Sequence, residues 1–413
     1  MNDLSPPVVR PQHVTDSTFY DFDMFKDPAL LADPHERVRE LVRMAPPVFW
    51  TPRNGGHWVA LGHKEVYEAS RDAETFSSML NPRSALESIR PMLPKGIGHI
   101  PLPTPINLDP PEHTKYRAPL QAAFSPKAVL ARKEEIRGLA NALIDVVVDR
   151  GRCDFIADIA EPLPVQVFLK MLGLPIGRMA EFRELVHEFL APISSPIDGV
   201  LRIRKVADAM KGEIESRRAE PKDDVLSLLW RSEIDGRPMT FELMEDFGVL
   251  LFIAGLDTVI NGMGYGIRHL AANPDVQDEL RANPKLIVDA AEEILRRYTF
   301  TVPLRRITKD VMFSGCSMKA NDRLALFLPG ADLDPREFKD PERFDLNREK
   351  SGHVAFGIGP HRCLGSHLAR VELQVIYQQV LERLPRFRLD ETRPVRFHAG
   401  NVIAMDSLPL RWD

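Results

Sequence analysis

The chain has 413 residues, 44% of them hydrophobic, which is enough to bury a large core. Its 59 acidic and 54 basic residues leave a net charge of -5, which argues against a nucleic-acid-binding protein and confines charged docking to a local patch. Three cysteines, Cys153, Cys316 and Cys363, are an odd count that builds no disulfide framework and fits a reducing cytoplasm.

From Met1 through Pro6, Pro7 and Pro11 there is neither a basic-then-apolar leader nor an apolar run long enough to cross a bilayer, so a soluble, cytoplasmic protein is expected. No low-complexity linker, repeat or composition shift divides the chain. A single domain over 1–413 is therefore expected, although length alone would allow two or three. Asp33-Pro34 predicts a first helix from Pro34 to Met44, ended by Pro46 and Pro47. The apolar runs Val48–Trp50 and Trp58–Leu61 flank Arg53-Asn54-Gly55-Gly56 and read as a β-hairpin, with a short helix from His63 to Arg71 behind it.

Between Ser77 and Leu108, Pro82, Pro91, Pro94, Pro101, Pro103 and Pro105 predict a long loop with little regular structure. Its apolar residues Met92, Leu93, Ile97, Ile100, Leu102 and Ile106 are too many for a solvated linker, so the loop is read as lining a ligand cavity. Asp109-Pro110-Pro111-Glu112 predicts a capped helix running to about Phe124. On it His113 and Arg117 share a face, a spacing that by itself is commonly a solvated pair. Ser125-Pro126 opens a long helix closing at Gly151, and further helices fit 164–172, 178–190, 199–218 and 224–231. Pro192, Ser194, Ser195 and Pro196 break the stretch from Phe182 to Ile203, which is read as a mobile lid.

Thr240 caps the longest helical stretch, which persists to Asn273-Pro274, on the order of 50 Å. Leu250, Leu251, Phe252 and Ile253 make it apolar all round, as befits a buried central helix. In its middle, Ala254-Gly255-Leu256-Asp257-Thr258 sets a glycine beside a threonine able to bond the backbone, which invites a local opening. An Asp in such a run is either functional or held by a buried partner. Helices from Pro274 to Arg281 and Lys285 to Tyr298 follow, the second carrying Glu293 and Arg296 on one face. Strands are expected at Leu304–Thr308, Val311–Phe313 and Arg323–Phe327, and between Val395 and Trp412.

The most informative stretch runs from Phe356 to Arg370. Gly357, Gly359 and Pro360 stop regular structure and let the backbone approach something flat or bulky. Leu364, Leu368, Leu373, Val375 and Ile376 then recur with helical spacing, which puts Cys363 at a helix start that favours a thiolate. Such a thiolate is a metal ligand or a nucleophile, and His361 and His367 are candidate bases for the second role.

Phe356, Gly359, Cys363 and Gly365 spell Phe-x-x-Gly-x-x-x-Cys-x-Gly, which resembles the haem-binding signature of the cytochrome P-450 family, the known example of Cys-ligated haem. The resemblance extends over nearly the whole chain and is greatest to the soluble bacterial camphor-hydroxylase-like group. It implies a mainly α fold with small β-sheets (α+β), with haem b between the long central helix and the Cys-loop helix and Cys363 as the iron ligand. His113, Arg117, Arg306 and His361 are implied to clasp the haem propionates. Glu293 and Arg296, with Arg343 as third member, are implied to hold the cysteine loop.

Asp257 and Thr258 match the family's acid-alcohol pair, which implies proton relay and hydrogen bonding to bound dioxygen, with Gly255 leaving room for O2. The implied cavity is lined by Met92, Pro101, Ile106, Leu250, Ile253, Ala254, Val302 and Val402, almost all apolar. Pro101 stands where camphor hydroxylases have a tyrosine, which argues against camphor and toward a terpenoid or norisoprenoid.

No flavin or nicotinamide fingerprint is present, so the analogy points to a [2Fe-2S] ferredoxin with an NADH-dependent reductase, docked on Lys115, Arg117 and Arg362. A monomer is implied. The competing readings are a peroxide-dependent peroxygenase, which the Asp257-Thr258 pair disfavours, and a haem-based sensor or carrier.

Overall fold

Asp33 caps α1 (Pro34–Met44), its carboxylate accepting from the Glu36 N–H at 3.3 Å, as the Asp-Pro pair predicts. The computed structural model describes residues 4–80, 83–190, 195–349 and 352–413. β1 (Val48–Thr51) and β2 (His57–Ala60) form the expected antiparallel hairpin with Trp50 opposite Trp58, followed by α2 (His63–Arg71) and the short β3 (Phe76–Ser77). The proline-rich stretch is not wholly irregular: Arg83–Ile89 is helical and Arg90–Met92 adds a 3-10 turn.

α3 spans Glu112–Gln121, but Asp109 does not cap it. The Asp109 carboxylate instead turns back to accept from the Ser77 hydroxyl and from the Ser78 N–H at 2.8 Å, which ties the end of the loop to β3. The single helix expected from Ser125 to Gly151 is three pieces: Pro126–Leu130, α4 (Lys133–Val147) and a 3-10 turn at Val148–Arg150, closed by Gly151 at φ 68°. α5 (Pro162–Leu172) and α6 (Pro196–Ala219) follow. Pro192 and Ser194 of the expected lid lie outside the described residues.

The central stretch is two helices, α7 (Phe241–Leu256) and α8 (Thr258–Ala272), with Asp257 between them at φ -108°, ψ -37°. At 16 and 15 residues they measure roughly 24 and 22 Å. Thr240 caps the first as predicted, accepting from the Leu243 N–H at 3.3 Å. After α9 (Ile287–Arg297) come β4 (Leu304–Ile307), β5 (Arg323–Leu326), α10 (Ser366–Arg383), β6 (Arg396–His398) and β7 (Ala404–Ser407).

The largest sheet has strand order β1-β2-β5-β4-β3, with β2 and β5 parallel and the other pairs antiparallel. The main core packs Phe247, Phe252, Met263 and Leu270 of α7 and α8 against Phe168 of α5, Ile144 of α4 and Leu373 of α10. The central helix pair is thus enclosed by helices, and the fold is mainly α with small sheets, as the resemblance implies. Among the described residues no helix is long and apolar enough to cross a membrane.

Candidate active site

The cysteine loop is built by backbone geometry. Gly357 and Gly359 have φ of 67° and 71°, and a Cβ on Gly359 would come within 2.6 Å of the Ser70 carbonyl, so only glycine lets the loop lie against α2. The Cys363 N–H closes the loop by donating to the Phe356 carbonyl at 2.7 Å. Cys363 precedes the first turn of α10 by three positions, and its side chain is exposed within surroundings that crowd the sulfur. Burial pushes the thiol above its ordinary range, against the Gly365 N–H and the charges of Arg117, Arg362 and Arg370.

Around this loop sit basic groups without anions. His113 is 2% exposed, and neither of its ring nitrogens has a protein partner; His361 Nε2 is likewise unpaired. Their rings meet at a tilt of 54°, with centroids 4.2 Å apart. Arg117 Nη2 donates to the Arg362 carbonyl at 2.5 Å, so His113 and Arg117 are not the solvated pair that spacing alone suggests.

Burial, then Arg305, His113 and Arg117, push His361 down to about 3, and burial with Arg117 pushes His113 to about 4. Burial lowers Arg305 to about 10. Among the described residues no carboxylate lies within ion-pair distance of Arg305 or Arg117. Two arginines without carboxylates and two imidazoles with unpartnered ring nitrogens can all be satisfied by anions, so these residues fit a group carrying two carboxylates, as haem does.

Arg306 is a correction. Its Nε donates to the Met79 carbonyl at 3.0 Å and its Nη1 to Asn321 Oδ1 at 3.4 Å, on the half-exposed face of β4. Arg305, one residue earlier and buried, is the arginine electrostatically coupled to His361.

On the central helix, Asp257 and Thr258 stand at the break between α7 and α8. Thr258 Oγ1 reaches back to the Ala254 carbonyl at 3.4 Å, and Asn261 Nδ2 donates to the Asp257 carbonyl at 3.1 Å. The expected opening is present, but Gly255 does not provide it: a Cβ there would meet the Phe168 ring at 2.3 Å, so this glycine admits an aromatic ring of α5.

Of the expected cavity wall, Ala254 is exposed, Ile253 and Val402 are half-buried, Leu250 and Pro101 are buried, and Met92 and Ile106 are exposed. Val302 is a correction: it is fully buried with Phe22, Val59 and Phe327 and so lines no cavity. Asn401 is exposed, and its carbonyl accepts from the Val302 N–H at 2.7 Å.

Sequence reasoning missed how the loop before α3 is fastened. Asp246 Oδ1 of α7, buried, accepts from His99 Nε2 at 2.7 Å and from the Leu102 N–H at 2.8 Å. Next to it, buried Glu245 pairs with Arg204 of α6, whose Nη1 also donates to the His99 carbonyl at 3.1 Å. Two adjacent helical carboxylates thus clamp the loop above a cavity of about 290 Å³ lined by Leu102, Thr104, Leu108, Tyr116 and Asp246. Adjacent acids opening an otherwise apolar helix were the available signal.

The structural triad also differs from expectation. Glu293 takes two hydrogen bonds from Arg296, both at 2.8 Å, and all of this is buried. The second guanidinium on Glu293 is that of Arg348, at 3.0 and 3.1 Å. Arg343 is exposed and contributes only its carbonyl, which accepts from Arg296 and Arg348. Lys115, expected in a docking patch, is committed to Glu112 and Asp235 at 2.9 and 2.8 Å.

Residues 165–412 match the family model described as Cytochrome P450. The chain is 34% identical to a probable cytochrome P450 127A1 of Sinorhizobium fredii, with all of both chains covered. It is also 34% identical to a steroid C26-monooxygenase of Mycolicibacterium smegmatis, over 89% of this chain and 90% of that one. Among solved structures, CYP101J2 superposes with a TM-score of 0.87 at 32% identity, over 98% of this chain and 100% of the other. With the cysteine loop, the anion-seeking cluster and the broken central helix in place, these likenesses show that the chain belongs to the cytochrome P450 family and is a haem b-dependent monooxygenase.

Proposed function

We propose that this monooxygenase hydroxylates a compact hydrophobic molecule of the terpenoid or norisoprenoid class, taking two electrons from a [2Fe-2S] ferredoxin served by an NADH-dependent reductase, as a single-domain cytoplasmic monomer. The observation that carries the reading is the acid-alcohol pair Asp257-Thr258 at the break in the central helix, one turn after apolar Ile253 and Ala254. The steroid that the Mycolicibacterium relative's name gives it to act on is likewise a largely apolar ring system.

When bound, haem b supplies the reduction of O2 and the insertion of one oxygen atom into a C–H bond. Cys363 would hold the iron, and His113, Arg117, Arg305 and His361 would hold the propionates, satisfying the polar atoms left without partners. Thr258 Oγ1 makes only a long bond to the Ala254 carbonyl, so its hydroxyl is free to turn and donate into the cavity. Asp257, beside it, holds a proton for Thr258 to pass on. Apolar side chains on α7 bind the substrate through the area they remove from water, about 25 cal/mol per Å².

The peroxygenase alternative needs neither electron donor nor proton relay. Turnover of a terpenoid panel, preselected by the low-spin to high-spin Soret shift, with ferredoxin, reductase and NADH is expected to outpace turnover with peroxide. Faster product formation with peroxide alone would favour the alternative. Thr258→Ala is expected to retain haem and substrate binding while diverting most NADH consumption to hydrogen peroxide; tight coupling in that variant would remove Thr258 from the mechanism.

A further inference from the structure

The backbone carbonyl of Asp257 accepts from Asn261 Nδ2 at 3.1 Å, while Asn261 Oδ1 accepts from the Met405 N–H at 2.9 Å. Asn261 is 1% exposed and uses both ends of its amide, so it pins β7 to the break between α7 and α8. In the hairpin, Met405 stands opposite Phe397 and His398 opposite Ala404. Met405 and Phe397 are buried, so the adjoining residues Asp406 and His398 are turned outward beside the break. His398 Nδ1 and Asp406 Oδ1 are 2.6 Å apart, with side chains 52% and 43% exposed.

We propose that His398, oriented by Asp406, is the surface proton donor that recharges Asp257, and that Asn261 is the positioning residue holding the hairpin to the helix break. This rests on the reading of Asp257 and Thr258 as the proton-handling pair. The hydrogen bond to Asp406, followed by the charges of Asp406 and Asp257, raises His398 above the ordinary value for histidine, against some desolvation. The imidazolium is therefore favoured relative to an ordinary histidine, and it sits within electrostatic reach of the carboxylate it serves.

The other nearby charges do not supply this effect. Arg268 of α8 lies 5.5 Å over the Phe397 ring and pairs with Asp33, and Arg396 is exposed on β6; both are cations that oppose protonation. The helix Pro28–Ala32 packs on β6 and brings, besides Asp33, only Asp27, which is committed to Arg37.

In the transfer, Nδ1–H stays donated to Asp406 and the Nε2–H bond breaks. The proton passes through intervening water to form an O–H bond on Asp257, leaving neutral His398 to regain a proton from bulk solvent. Asp257 returns to the carboxylate when it hands the proton to Thr258, so nothing is oxidised or reduced in the relay.

The experiment is an NMR pH titration of the His398 ring in the haem-loaded, ferrous-CO protein, with the resonance assigned by its loss in His398→Gln. The midpoint is expected above 6.5. It should fall in Asp406→Asn and, by less, in Asp257→Asn. A midpoint unmoved by Asp257→Asn would overturn the coupling. In turnover, His398→Gln should slow kcat several-fold and enlarge the solvent deuterium isotope effect, with His398→Lys restoring part of both; wild-type kcat and isotope effect in His398→Gln would overturn the relay. A wild type that oxidises no substrate with ferredoxin would overturn the functional reading, whereas the titration would still decide whether His398 and Asp257 are coupled.

Discussion

Arg305 and Arg306 show how one position decides between a cofactor contact and a surface contact. In a strand, neighbouring side chains point to opposite faces, so a shift of one residue exchanges them. Leu304-Arg305-Arg306-Ile307 is symmetric in hydropathy, and the sequence alone offers no face preference. The pairing does: Arg305 lies opposite Leu324 and Arg306 opposite Arg323, which puts Arg305 on the side of buried Leu324 and of His361. A charge-assisted hydrogen bond from Arg305 to a propionate is worth about 1.5–3 kcal/mol. Arg305→Ala should therefore speed haem transfer to apomyoglobin by roughly tenfold to a hundredfold, and Arg306→Ala should leave it near wild type. Loss in Arg306→Ala with retention in Arg305→Ala would reverse the assignment.

Where an element's ends are written in local chemistry, they were legible. The Asp33-Pro34 start, the Thr240 cap and the Gly151 stop each act within one turn, and α1, the start of α7 and the end of the Val148–Arg150 turn fall where the sequence puts them. The tight glycine loop around Cys363, the Glu293–Arg296 pair and the Asp257 break were legible for the same reason, since each sits within a short motif. What escaped depends on contacts distant in sequence: Asp109 bonds residues 31 and 32 positions away, and Asp246 fastens Leu102 across 144. The third member of the buried triad belongs to this class, because Glu293 selects its second arginine across 55 positions.

Arg348 is 13% exposed at its side chain and also donates to the carbonyls of Lys339, Asp340 and Arg343, so it fastens the coil that leads to the cysteine loop. Removing it should destabilise the protein by about 3 kcal/mol, read as a lower urea midpoint with faster haem loss. Arg343→Ala keeps the only group Arg343 contributes, its carbonyl, and should stay within about 0.5 kcal/mol of wild type. Equal destabilisation by the two variants would restore Arg343 to the triad.

Over the whole molecule, the histidines set an acid limit. His35, His57 and His269 are 2%, 5% and 7% exposed and lie outside the cysteine-loop cluster. His35 Nε2–H donates to the Thr299 carbonyl, 3.1 Å away, with its ring edge-on to Tyr265 and Tyr298; His269 Nδ1 lies 2.8 Å from the Tyr298 hydroxyl. Burial is the first cause of the shift in each, lowering His35 to about 3 and His57 and His269 to about 4, from 6.5. Because the unfolded chain takes up these protons before the folded one can, each neutral histidine's contribution to stability is complete above about 6.5 and is lost as pH falls toward its folded value.

At about pH 5 each histidine removes about 2 kcal/mol, so three together take about 6 kcal/mol from a stability that rarely exceeds about 15. Glu292, lowered to about 2 by its hydrogen bonds to His353 and Arg370 in spite of desolvation, acts in the same sense over a lower window, between 4.5 and 2. Buried Glu372, pushed up to about 8, acts the other way, because the folded form takes up its proton before the unfolded chain does and so gains stability as pH falls below 8. Three histidines outweigh one glutamate, so urea midpoints measured from about pH 6.5 down to 5 should still fall. His269→Gln, which keeps a polar partner for Tyr298 but cannot take up a proton, should flatten that slope by about half; a midpoint that does not fall with pH across this range would show that the buried rings take up protons in the folded protein as readily as in the unfolded chain.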